Sequence, residues 1–177
     1  MDLVLSKDKD ASLSTWKDYA PLIVIISVIL LTTITLAVRD LGLGMFSLEN
    51  TLSYFMIGFF LIFATFKLMD LKGFAHGYQT YDILAQKIPL YGHVYPFIEL
   101  FFGLAMIVIP LSTSLLITEF VVMMFSGLGV AIKIAKKEEF MCVCLGTFLK
   151  IPLTKVTLIE NFGMAALAIA MLLLQAL

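Results

Sequence analysis

The sequence is poor in charge and in cysteine. Only 14% of its 177 residues are charged, the net charge is −1, and there are two cysteines. Without an excess of basic residues it lacks the electrostatic footprint of a nucleic-acid-binding protein, so no nucleic-acid partner is expected. Two cysteines are too few for the disulfide framework of a small secreted domain. The sequence also lacks a nucleotide-binding glycine loop, a haem-attachment motif and the Ser/His/Asp set of a hydrolase.

Apolar residues make up most of the chain. The hydrophobic fraction is 61% and the mean hydropathy is +1.03, which is more apolar surface than one water-soluble core can hide. The sequence therefore predicts an all-α integral membrane protein in a lipid bilayer. Residues 1–19 form a polar N-terminal tail, and residues 20–177 form one transmembrane helical domain. Five apolar stretches are long enough to span a bilayer, at about residues 20–38, 51–69, 89–110, 115–134 and 156–174.

A sixth helix is predicted between the second and third spans. From about residue 72 to residue 88, apolar side chains recur at helical spacing among polar ones, which is typical of an amphipathic helix lying on the membrane face. Two charged residues of the spans are expected to be in contact with water. Lys67 is expected to snorkel at the end of the second span, and Glu119 is expected to be shallow and hydrated near the start of the fourth.

The lysines predict the orientation. If the N-terminus lies inside, a five-helix arrangement places all eleven lysines on the cytoplasmic side and leaves only Arg39 outside. The expected location is a multi-pass protein of a bacterial-type inner (cytoplasmic) membrane, with its C-terminus outside. This orientation also puts the connection between the fourth and fifth spans on the cytoplasmic side.

That connection contains a Cys-x-Cys pair, Cys142 and Cys144, which holds both cysteines of the chain. Cysteines one residue apart can close only a small, strained disulfide ring, so an oxidised pair would be easily reduced and suited to exchange. Alternatively, the two sulfurs could bind a soft metal ion such as Cu(I) or Hg(II), with the neighbouring Met141 as a further ligand. They could also be two small buried hydrophobic residues.

Two carboxylates in the spans are candidate functional residues. Glu99 lies near the middle of the third span, where a carboxylate is costly unless it is protonated, paired or hydrated. It could serve function or the specificity of packing. Glu160 lies just inside the fifth span and could accept a proton from a nearby thiol. Thr157-x-x-Glu160 also matches a capping box, which would explain Glu160 without chemistry.

Four segments in order resemble the MauE/DoxX group of redox-associated membrane proteins. They are residues 67–74 (KLMDLKGF), 81–83 (YDI), 95–103 (YPFIELFFG) and 142–146 (CVCLG). The resemblance covers about residues 51–174 and implies a four-helix bundle to which the first helix is an addition. It also implies thiol or disulfide handling linked to the maturation of methylamine dehydrogenase. By position, Cys142 and Cys144 match the group's Cys-x-Cys, and Glu99 matches the acidic residue after the proline of the third span.

Three hypotheses follow. The first is a membrane thiol/disulfide redox protein without a cofactor, in which Cys142 and Cys144, assisted by Glu99 and Glu160, exchange with a thioredoxin-like or other thiol carrier. The second is a soft-metal transporter for copper or mercury. The third is a structural subunit of a membrane complex. The group is associated with periplasmic disulfide formation, whereas the lysines place these thiols inside.

Overall fold

The computed structural model describes residues 16–136 and 154–176, and these residues form seven helices with no strand. The helices are α1 (Trp16–Gly42), α2 (Leu48–Met69), α3 (Leu71–Tyr78), α4 (Ile83–Lys87), α5 (Pro89–Val108), α6 (Thr113–Ala135) and α7 (Thr154–Ala176). Within this described part of the chain, α1, α2, α5, α6 and α7 are long and apolar enough to cross a membrane. The predicted all-α membrane fold with five spans is confirmed.

The first span is longer than the apolar run alone predicts. The apolar run ends at Val38, but α1 continues through Arg39 and Asp40 to Gly42. The Arg39 guanidinium lies 2.8 Å from the Asp40 carboxylate, and the hydroxyl of Tyr54 in α2 donates to the same carboxylate at 2.7 Å. Because these charges are paired, they do not end the helix, and the contact with Tyr54 joins the end of α1 to α2.

The spans form two main pairs. α2 packs along α5, and α6 packs along α7, while α1 lies against α2. The paired helices of α6 and α7 are antiparallel, since Gly127 meets Asn161 near one end and Thr113 bonds Gln175 at the other. The core is built from buried aromatic and methionine side chains, among them Phe60, Phe102 and Met106. Consequently the start of α5, the end of α6 and the start of α7 lie at one end of the bundle.

The segment predicted as one interfacial helix forms two short helices, α3 and α4. The prediction of a single continuous helix was therefore wrong. Asp70 caps α3 by accepting from the Gly73 amide at 3.1 Å. Asp82 has an extended backbone and caps α4 by accepting from two amides, at 2.9 and 2.8 Å. A capping aspartate begins a new helix, which breaks the continuous helical pattern.

α3 and α4 are packed into the bundle. Phe74 and Tyr78 are buried against the neighbouring helices, and the Gln79 amide of the following turn reaches the Pro89 carbonyl at the start of α5. On the other side, α6 comes so close that a Cβ atom on Gly129 would lie 2.9 Å from the Tyr81 carbonyl oxygen. The aromatic face that the sequence pattern assigned to lipid is therefore covered by protein.

Candidate functional site

A buried ion pair joins α2 to α5. The Nζ atom of Lys67 lies 2.5 Å from both carboxylate oxygens of Glu99. The two residues are only 6% and 3% exposed. Removing both charges from water is costly, so a pair in this setting is held together by mutual attraction and by the groups around it. Glu99, predicted to be costly in the membrane unless neutralised, is neutralised by this lysine.

Lys67 does not snorkel to the membrane surface as predicted. It lies on the same buried face of α2 as Met56, Phe60 and Phe63, at intervals of three and four residues. From that face its ammonium group extends into the bundle, where it contacts the carboxylate of Glu99. The sequence pattern missed this residue because α2 is apolar on all sides, so no amphipathic contrast shows which face is buried.

Aromatic rings line the space around the lysine. Its Nζ atom lies 5.6 Å from the centre of the Phe74 ring and 5.4 Å from that of Tyr95, both within the range of a cation–π contact. The Tyr95 ring also stacks on Tyr78, with centres 4.6 Å apart. α3 thus contributes Phe74 and Tyr78 to the site, which explains why the segment after α2 folds back into the bundle.

Glu160 in α7 lines the same internal space as the Lys67–Glu99 pair. Together with Lys67, Glu99 and Tyr81 it lines an internal cavity of about 20 Å³, which is room for roughly one water molecule. The Oε1 atom of Glu160 is buried and has no hydrogen-bond partner among the described residues. Lys67 pairs with Glu99, and the carboxyl group of Glu160 lines the same cavity. A buried carboxyl group that no cation pairs with is favoured in its neutral, protonated form.

Neutral polar groups complete the lining. The Tyr95 hydroxyl donates to the Asn161 side chain at 3.4 Å, and the hydroxyl groups of Tyr78 and Ser126 lie 3.0 Å apart. Tyr81 lies outside the spans, and burial raises its pKa well above its ordinary value. Tyr81 is consequently a neutral phenol beside the two carboxyl groups. The cavity is thus lined by groups that can hold and pass a proton.

The capping-box interpretation of Glu160 is wrong. α7 begins at Thr154, three residues before Thr157, so Thr157 lies inside the helix and cannot be its N-cap. The Thr157 carbonyl instead accepts from the Asn161 side chain at 2.9 Å, within the helix. Glu160 is free of a capping role and is positioned by α7 at the cavity.

The prediction of a hydrated Glu119 is also wrong. Its side chain is 0% exposed, and neither carboxylate oxygen has a hydrogen-bond partner within residues 16–136 and 154–176. Glu119 shares the buried face of α6 with Leu115, Leu116 and Met123. Its distance from the helix end suggested contact with water, but the face on which it lies decides its burial.

The cysteine pair lies outside the described residues, as does Met141. The described chain ends before it with α6 and resumes after it with α7, whose second turn carries Glu160. Four residues were predicted to act in thiol chemistry. The fold brings two of them, Glu99 and Glu160, to the same cavity. The roles of Cys142 and Cys144 remain predictions. No group of three or more metal-binding side chains occurs in the described part of the chain. The soft-metal prediction depends on the cysteines and stays a prediction.

These features define a class of protein, a small multi-pass helical bundle with a charged pair and a second carboxyl group buried in its core. The chain belongs to the MauE family, since the family described as methylamine utilisation protein MauE matches residues 45–174. The predicted resemblance to MauE is confirmed, and its extension to DoxX stays a prediction. The matched range includes Lys67, Glu99 and Glu160 and the Cys-x-Cys pair. No curated protein and no solved structure shows significant similarity to the chain.

Proposed function

We propose that this MauE-family protein is a membrane thiol/disulfide redox protein that serves the maturation of a partner protein in methylamine utilisation. Cys142 and Cys144 are the exchanging pair in this proposal, and Glu160 is their proton acceptor and donor. The main support is the shared cavity of Glu160 and the Lys67–Glu99 pair. This cavity places the carboxyl group of Glu160 in the helix that directly follows the cysteine segment, and thiol chemistry requires a group that can give and take a proton.

The exchange step balances without a cofactor. A thiolate of a reduced thioredoxin-like or other thiol carrier attacks Cys142 in the Cys142–Cys144 disulfide, and a mixed disulfide forms. Cys144 leaves as a thiolate and takes a proton from Glu160. Lys67 stabilises the carboxylate that forms at Glu160, and Glu99 holds Lys67 in position. The second carrier thiol gives its proton to this carboxylate, and its thiolate attacks the mixed disulfide and releases Cys142 as a thiolate. The carrier therefore ends as the disulfide and the chain in its reduced form.

This function is tested by following the thiols. In purified protein, labelling of Cys142 and Cys144 is expected to change with the poise of a thioredoxin or glutathione buffer, and Cys144→Ser is expected to trap a mixed disulfide on Cys142. Cys142→Ser is the matched control, which leaves one sulfur in the same segment. The soft-metal alternative predicts that both sulfurs stay reduced and that Cu(I) or Hg(II) protects them from labelling. Stoichiometric metal protection without any redox change would contradict the proposal.

The proposed orientation has the N-terminus and the cysteine segment on the cytoplasmic side of a bacterial inner membrane. It rests on eleven lysines against one arginine. An enzyme that is active only in the periplasm is expected to be inactive when fused after Ala135 and active when fused at the C-terminus. Activity at the first site would reverse the orientation and place the thiols on the periplasmic side.

A further inference from the structure

An apolar groove runs along the lipid-facing side of the bundle between α1, α2 and α7. Its volume is about 520 Å³, within the range of small-molecule sites. Leu22 and Ile26 of α1 form one wall, Phe55 and Phe59 of α2 form the second, and residues of α7 form the third. Gly163 lies in this third wall, and a Cβ atom placed there would have no neighbour within 4 Å. The groove is thus an open space that a long apolar chain fits.

The groove ends at the internal cavity that contains the Lys67–Glu99 pair. Phe59 and Glu160 line both the groove and the internal cavity, so they form the wall between the two. Glu160 is the one ionisable residue among the described residues that line the groove. It lies six residues from the start of α7, or about 9 Å along the helix. A molecule lying in the groove would place its polar end against this carboxyl group. That end would therefore lie within the bundle, deeper than the first residue of α7.

The position of Glu160 restricts the polar end that can bind. A fatty-acid carboxylate would bring a third carboxyl group to a cavity whose described lining has one lysine, and a phospholipid head group would lose its hydration at this depth. A neutral head with carbonyl oxygens can accept a hydrogen bond from Glu160 in its protonated form. Phe59, whose ring stacks on Phe63 with centres 4.2 Å apart, supplies an aromatic side chain to the wall of the groove beside Glu160.

We propose that the groove binds a lipid-soluble quinone, which accepts the electrons of the cysteine pair. This proposal rests on the proposed thiol/disulfide function, which needs an electron acceptor if the chain is to oxidise more than one partner. The step balances. Two thiols lose two electrons and two protons and form one disulfide, while the two quinone carbonyl oxygens gain them and become the hydroxyl groups of a quinol. Glu160 donates a proton to the nearer oxygen and is reloaded from the thiols.

Binding is tested apart from redox chemistry in the full chain carrying Cys142→Ser and Cys144→Ser. A benzoquinone with a decyl tail is expected to bind this protein in lipid nanodiscs, and decylbenzene, which has the tail without the carbonyl groups, is expected not to displace it at equal concentration. Gly163→Leu fills the groove and is expected to weaken quinone binding at least about tenfold. Gly42→Leu is the matched control, since a Cβ atom there also meets open space and Gly42 does not line the groove.

Several results would overturn the groove assignment. Equal competition by decylbenzene would make the groove a contact for lipid tails, and unchanged affinity in Gly163→Leu would place the quinone elsewhere. If Gly163→Leu does not fold, an azido-quinone that labels peptides other than α1, α2 and α7 would likewise place the quinone outside the groove. Thiol exchange without quinone binding would refute this inference and leave the proposed function standing. Quinone bound in the groove without quinol formation by the reduced cysteines would refute the redox function and leave the site standing.

Discussion

Replacing Lys67 by methionine is expected to lower the free energy of unfolding by about 3–5 kcal/mol, because it leaves Glu99 buried without its partner. Methionine keeps the length and the apolar part of the side chain, so the change removes mainly the charge and its hydrogen bonds. The cation–π contacts with Phe74 and Tyr95 are lost as well. Denaturant unfolding of the detergent-solubilised protein, followed by helical circular dichroism, measures the effect.

Two further variants decide whether the ion pair is the cause. Lys67→Met combined with Glu99→Gln removes both charges and is expected to regain most of the lost stability, since no buried charge is left without a partner. Lys72→Met is the matched control. Lys72 is exposed in α3, and its replacement is expected to change the stability by no more than about 0.5 kcal/mol. A Lys67→Met protein as stable as the wild type would show that the pair does not hold α2 to α5.

Replacing Glu160 by glutamine is expected to slow thiol exchange by about 10²- to 10⁴-fold, the contribution typical of a positioned acid–base group. Glutamine keeps the size of the side chain and can still donate a hydrogen bond, so the helix content and the stability are expected to be unchanged. The measurement is the rate at which the oxidised protein exchanges with a reduced thioredoxin.

Glu119→Gln provides the matched control for Glu160. Glu119 is also a buried carboxyl group without a hydrogen-bond partner among the described residues, but it does not line the internal cavity. The same substitution there is expected to leave the exchange rate unchanged. If Glu119→Gln and Glu160→Gln slow exchange equally, the effect is a general one of buried acids, and Glu160 loses its assigned role. If neither slows exchange, the proton is carried by another group.

The sequence predicted the carboxyl half of this site but not the lysine. Glu99 was recognisable because a carboxylate near the middle of an apolar span has a high cost that must be met by some partner or proton. Glu160 was recognisable because it follows the cysteine segment closely along the chain. Lys67 was not recognisable, because a lysine near a helix end usually reaches water and because α2 shows no polar face to contrast with a buried one. Only the pairing of α2 with α5 makes the lysine a partner of Glu99, and that pairing is set by three-dimensional packing.

Three-dimensional packing also explains the two other differences between prediction and structure, which concern the segment after α2 and the burial of Glu119. The periodic pattern between residues 72 and 88 was real, since Phe74 and Tyr78 share one face, but periodicity does not state whether lipid or protein covers that face. The break at Asp82 had a visible cause in its side chain, which caps α4. For Glu119, the distance to the end of α6 was known from sequence, whereas the direction of its side chain depended on where α5 and α7 lie.

The arrangement of α1 has a consequence for how the protein could diversify. The family match begins at residue 45, after α1, and includes the ion pair and Glu160. α1 provides only one wall of the apolar groove, through Leu22 and Ile26, and none of the residues that line the internal cavity. Leu22 and Ile26 can be replaced, and the width of the groove changed, while every described residue that lines the internal cavity stays the same. Selection for a different apolar ligand can therefore act on α1 without changing the residues that line the internal cavity.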